Sequence, residues 1–500
     1  MSSIAGQSEL ERDAMLAGRF DQRVRSFVRF AVPLHVAGIV LNLALDQQAV
    51  AALAHLLMAA MAWIIGSRSK DGIRTIIFTN VYWMFSFATY AYAALYGQTA
   101  SHGLGNAERS ALVALCSQFG LYFAYLMTPN KNVMQKSNQN LSVRRRFILV
   151  QLQYVFLFAG FVGVVVDRFG LVPAVYSSTI SGLLFITISV RLSSAKAVRD
   201  PVLWLILGTM IFVSAAGNGR TALMSLLLML GFAMMMLKEK IITPGTLIVA
   251  YLTARTLSIF SAIILSIRWA RDTSLSLPLL FAEKFFSLET VISILNPFYI
   301  NSSKVELMSA PADTGGFYSA FYSASSDSLL NRLTLLPQMD IVVSKLWAIE
   351  QVRWDDLWGN LFWNVLPNIF GQEKDLYFSD QVVWELGLRD WSTIGRPMIT
   401  IQGELFAIGG YACVFIVTFA LYYIMSYMYG VMTRLMGSRV SGILVTSQLF
   451  VNGFLSTTLL SVTLISTRGP LQFVIMISLI YFLYNSFVKS EGPLRKRKFA

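Results

Sequence analysis

The chain has 500 residues, of which 55% are hydrophobic and only 13% charged, with a mean hydropathy of +0.60 and a formal net charge of +13. A water-soluble surface cannot be assembled from that composition, so lipid is the main solvent, and the basic excess sets topology between apolar runs instead of marking a nucleic-acid partner. Cys116 and Cys413 are the only cysteines and His35, His55 and His102 the only histidines; their positions exclude a disulfide framework and a thiolate or paired-histidine metal site.

Residues 1–29 mix acids and bases without a small-residue cleavage site and read as a cytoplasmic N-terminal tail. Apolar runs long enough to cross a bilayer, about 20 residues each, begin near Phe30, Gln48, Ile73, Ala111, Phe147, Leu171, Pro201, Thr221 and Thr246, giving nine spans within residues 30–268. Three more begin near Glu404, Val440 and Gly469 within residues 403–488, and a basic cytoplasmic tail, 489–500, closes the chain. With the N-terminus inside, the cytoplasmic segments hold 25 Lys and Arg, and the short loops on the other side hold only Arg109, Arg168, Arg220 and Arg468. The expectation is an all-α, polytopic membrane protein of about twelve transmembrane helices.

Residues 269–402 contain no spanning run and lie outside the cytoplasm on this topology. They hold six prolines and many aromatics, too many for a disordered linker. Amphipathic patterns at Leu277–Leu295 and Leu329–Glu350 predict short helices lying on the membrane surface or capping a cavity. Loops this long are usually functional.

Arg220 follows Gly217, Asn218 and Gly219 and opens an apolar run, so amides, helix dipole and guanidinium converge on a diphosphate-sized anion site. A turn between two helices also uses glycines and one positive flank. Arg255 falls mid-span, where a guanidinium is costly unless it snorkels, finds a partner or faces an anionic lipid-linked substrate. Arg268 and Arg271 emerge at the same face, and Arg468 opens the connection to the last span. Arg353, Lys374 and Arg396 add cations within the loop. From Trp354 to Glu404, Trp358, Trp363, Trp384 and Trp391 alternate with Asp355, Asp356, Asp375, Asp380 and Asp390, a composition that binds sugar rings or forms an interfacial belt. Glu404, flanked by Gly403 at the start of the tenth span, reads as a general base for a sugar hydroxyl or as an ordinary helix N-terminal acid.

Two stretches resemble a known family. The turn Gly217-Asn218-Gly219-Arg220-Thr221, with Gly231 eleven positions after Arg220, is similar to the arginine and glycine signature of Wzy-type O-antigen and oligosaccharide repeat-unit polymerases. Asn364-Val365-Leu366-Pro367, Lys374, Gly395-Arg396-Pro397, Gly403-Glu404-Leu405-Phe406 and Gly409-Gly410 resemble the end of that family's large periplasmic loop. Arg396 and Gly409, with twelve residues between them, depart from its second copy of the spacing. The related ligases place a His near the start of the corresponding helix, and this chain has none after His102. The resemblance implies a metal-independent glycosyltransferase of the bacterial inner membrane with no cofactor. A growing glycan would pass from undecaprenyl diphosphate to an incoming lipid-linked repeat unit, alongside chain-length regulator and flippase proteins. A transporter or flippase of lipid-linked sugars, and a ligase-like glycosyltransferase, are the alternatives.

Overall fold

The computed structural model describes residues 2–95, 97–128, 139–168, 183–184, 186–192, 200–216, 220–237, 334–346, 378–387, 399–454 and 458–489, with a few isolated positions between them. Every regular element among the described residues is helical. The helices are α1 (Ser2–Asp46), α2 (Ala49–Arg68), α3 (Gly72–Val81), a π-helical turn (Tyr82–Phe87), α4 (Ala88–Leu95), α5 (Ala107–Met127), α6 (Gln139–Gln151), α7 (Gln153–Arg168), α8 (Pro201–Ala216) and α9 (Arg220–Leu237). They continue with α10 (Leu336–Lys345), α11 (Phe378–Glu385), α12 (Thr400–Met436), α13 (Arg439–Leu449), α14 (Val451–Phe454), α15 (Leu459–Ser466) and α16 (Arg468–Lys489).

Five helices among the described residues are long and apolar enough to cross a membrane: 11–46, 49–68, 107–127, 400–436 and 459–486. A sixth span is formed if Arg144–Gln151 and Gln153–Gly163, bent by 57° at Leu152, count as one. The expected runs near Leu171 and Thr246 fall largely outside the described residues. Those near Ile73 and Val440 are each divided into shorter helices.

The first 29 residues do not form a separate tail. α1 has 45 residues, roughly 67 Å at 1.5 Å per residue, and its stretch from Asp13 to Val28 packs on the bundle. Leu16, Ala17, Phe20, Val24 and Val28 recur at helical spacing and are buried, so the apolar stripe of the first span continues through the arginine-rich segment. Phe30, Leu34, Leu41 and Leu45, farther along, are exposed, as suits a face against lipid tails.

At one end of the bundle, α1 holds two helix connections together through carboxylates. Asp13 accepts from Ser438 Oγ at 2.5 Å and from the backbone amides of Arg439 and Val440 at 2.8 and 3.2 Å. Asp21 accepts from the Gly72 amide at 2.7 Å and pairs with Arg439 Nη1 at 2.7 Å. Arg439 Nη2 also lies 3.2 Å from Asp71, which caps α3 and accepts from Tyr429 OH. Arg23 donates to the Met235 carbonyl in the last turn of α9, placing a cation at a helix C-terminus. This is the basic end. The α1–α2 hairpin, residues 46–49, marks the other.

α5 is the central helix. Gly120 lets α12 approach so closely that an added Cβ would lie 2.7 Å from the Phe415 carbonyl, the small-residue contact that packs helices without a hydrophobic driving force. Gln118 of α5, fully buried, donates to the Phe78 carbonyl at 2.9 Å and accepts from the Tyr82 amide at 3.0 Å. An uninterrupted α-helix joins those two backbone groups to each other, so one side-chain amide satisfies both where α3 widens into the π turn.

Candidate functional site

Two short helices enter the bundle without crossing it. The first is α10. Its sequence, Leu335-Leu336-Pro337-Gln338-Met339-Asp340-Ile341-Val342-Val343, is buried at every position. Of the two expectations for 329–350, a helix on the membrane surface or one capping a cavity, the described part is helical and sits inside, with Leu336 against the cavity under the α1–α2 hairpin, because its polar groups find internal partners. The Leu335 amide donates to the Met84 carbonyl of the π turn at 3.1 Å. Asp340 Oδ2 accepts from the Gly105 amide at 2.6 Å, and Oδ1 accepts from the Asn106 amide at 3.0 Å and Ser110 Oγ at 2.7 Å. Those donors stand at the start of α5, where the helix dipole favours negative charge. Burial raises the Asp340 pKa above its ordinary value, and the three donors pull it back only in part.

The second is the start of α12. Thr400 has φ 65° and is fully buried, an outlier for a β-branched residue. Its hydroxyl accepts from the Gly403 amide at 3.2 Å. The helix breaks at Gly409 (φ −154°, ψ 24°) and Gly410 (φ 62°, ψ −154°), a conformation essentially confined to glycine at the second position. α5 serves as a ruler for what the break does. Gln402 Nε2 donates to Ser117 Oγ at 3.2 Å, Arg109 lies 5.1 Å over the Phe406 ring, and Phe415 packs on Phe123. The chain therefore runs along α5 from the level of Ser117 back to that of Arg109, turns at the glycines, and descends past Gly120. Residues 400–408 form a re-entrant half-helix, and the span follows Gly410.

Glu404 lies on that half-helix, 1% exposed. It was expected at the positive end of its own helix; instead Oε2 accepts at 3.0 Å from the amide of Leu459, the first residue of α15. The half-helix touches α10 through Gly403, whose Cβ direction meets Val342 at 3.7 Å. Both buried carboxylates, Asp340 and Glu404, are thus held by amides at the start of a neighbouring helix. Each carboxyl is fixed in position by backbone N–H donors in a low-dielectric setting. Gln402 Oε1 is buried without a partner among the described residues.

The other expected residues fare unequally. α9 begins at Arg220; Arg23 meets the same helix at Met235, so Arg220 stands roughly 22 Å farther along it. Arg468 is the first residue of α16, within an apolar stretch that extends from Leu459 to Ser486. Arg255, Arg268, Arg271, Arg353, Lys374 and Arg396 lie outside the described residues, as does most of the aromatic and acidic stretch 354–391. Within that stretch Phe378–Glu385 is helical and Trp358 is exposed. Asp340 was not anticipated, although it is the one acid in an otherwise apolar run.

No family model, no curated protein and no solved structure matches this chain.

Proposed function

We propose that this chain is a membrane glycosyltransferase that polymerises lipid-linked oligosaccharide repeat units. Glu404 is the general base on the acceptor hydroxyl, and Arg220, with the loop arginines, neutralises the leaving diphosphate. The observation that carries the reading is the break at Gly409–Gly410, which turns a carboxylate-bearing half-helix back into the bundle. A base held by a neighbouring helix start is fixed in position before the acceptor arrives, which is where catalytic preorganisation comes from. Two lipid anchors in one membrane plane supply proximity without tight soluble binding.

Glu404→Gln is the appropriate variant, because the Gln carbonyl still accepts from Leu459 while no proton can be taken. Polymer synthesis is expected to fall by about 10²-fold or more, read as the surface-glycan ladder of a deletion strain complemented at matched protein levels. A full ladder from Glu404→Gln removes Glu404 as the base. A deletion strain that makes no singly capped core removes polymerisation itself and points to export.

Export is the second reading, favoured by the discontinuous helix. Interrupted helices at membrane depth line substrate sites in transporters, and on that reading the same strain accumulates lipid-linked repeats on the cytoplasmic face.

A further inference from the structure

His35 and His55 take no part in the polymerase reading, and the structure gives both a built environment. His35, on α1, is 5% exposed and His55, on α2, is 2% exposed. Their partners come from the π turn: His35 Nδ1 lies 2.9 Å from Tyr82 OH, and His55 Nδ1 lies 2.9 Å from Ser86 Oγ. The Tyr90 ring, one turn beyond, meets both imidazoles edge-on, with centroids 5.0 Å from His35 and 5.1 Å from His55. Beneath the α1–α2 hairpin lies a cavity of about 20 Å³ whose polar lining is His55, Tyr90, Asn42, Asp46, Gln48 and Ser101, the rest being alanine and leucine side chains. That volume holds one water, and a water needs polar partners. Gln48 Oε1 supplies such a need: it is buried with no partner among the described residues, as is His35 Nε2.

We propose that His55 is a proton-uptake site loaded from the hairpin end through a water in this cavity. The cavity water, as hydronium, gives its proton to Nε2 of a neutral His55. Nδ1–H stays donated to Ser86 Oγ, and water and an imidazolium result, with Asp46 at the mouth as counter-charge. An ionisable side chain inside a membrane bundle that faces a cavity is a functional-site position by default, proton relays among them, and π turns frequently occur at functional sites. The titratable and charged groups facing His55 are His35 and Asp46 on α1 and Tyr82 and Tyr90 around the π turn. α5 presents Ala107 to the cavity and α10 presents Leu336; Asp340 is engaged by Gly105, Asn106 and Ser110. On the orientation read from the basic residues, protons enter from outside the cytoplasm.

The test uses the full chain in lipid nanodiscs with ¹⁵N-labelled histidine, since it has only three. As pH is lowered from about 8 to the acid limit of the folded state, His55 is expected to pass reversibly from the neutral to the imidazolium ¹⁵N signature. Asp46→Asn should lower that midpoint by about one pH unit, and Ala52→Leu, which fills the cavity, should abolish the transition in protein that remains folded. A His55 signal that stays neutral throughout in folded wild type overturns the proposal, as does a transition that neither substitution moves.

Discussion

Replacing Gly410 by Ala separates a broken α12 from a continuous one by the sign of its effect. At Gly410 a Cβ would meet nothing within 4 Å, so the substitution tests backbone conformation alone. With φ 62° and ψ −154°, an alanine pays for a region only glycine populates, about 1–3 kcal/mol. In a straight helix the same change gains about 0.5–1 kcal/mol, because glycine loses more conformational freedom on folding. Gly231, helical and equally uncrowded, is the matched control and should gain. Reversible unfolding in mixed micelles, followed by far-UV circular dichroism, resolves the difference. A Gly410→Ala protein as stable as wild type, or more so, refutes the re-entrant half-helix and with it the placement of Glu404.

Arg439→Ala should destabilise the protein by about 3–5 kcal/mol in the same assay, because it leaves Asp21 and Asp71 buried without their counter-charge; a loss under about 1 kcal/mol would show the pair to be solvated. Asp340 carries a pH dependence of defined sign. Its pKa is raised in the folded state, so its contribution is full below the unfolded value of 3.8 and declines as pH rises through the higher folded value. Unfolding measured from about pH 3.5 to about pH 7 should show that decline in wild type and not in Asp340→Asn. The asparagine also turns an NH₂ toward one of the former donors, which should cost about 1–3 kcal/mol at all pH values.

Much of the scaffold was legible because its signals are local. Runs of apolar residues at Ala49–Arg68 and Ala107–Met127 fix two spans at the length a bilayer demands, and Asp71, Asn106 and Ser438 cap the helices that follow them. The interior of the outer segments was not legible in this way. Hydropathy cannot distinguish a surface helix from α10, because what draws α10 inward is a Met84 carbonyl and the Gly105 and Asn106 amides, more than 200 residues away in the chain. The π turn has no proline or glycine to announce it; Gln118 and Leu335 hold it open from elsewhere.

The candidate site lies on the illegible side of that line for a physical reason. Asp340 and Glu404 are each bound by backbone N–H groups at a helix start, and every helix start offers such groups whatever its side chains. A sequence names the acid but not the helix end it will find. Glu404 was singled out by its neighbour Gly403, yet Gly409 and Gly410 settle its position by reversing the chain. Sequence features within five or six residues of a carboxylate thus say that it is special; the turn that follows decides which helix start it reaches.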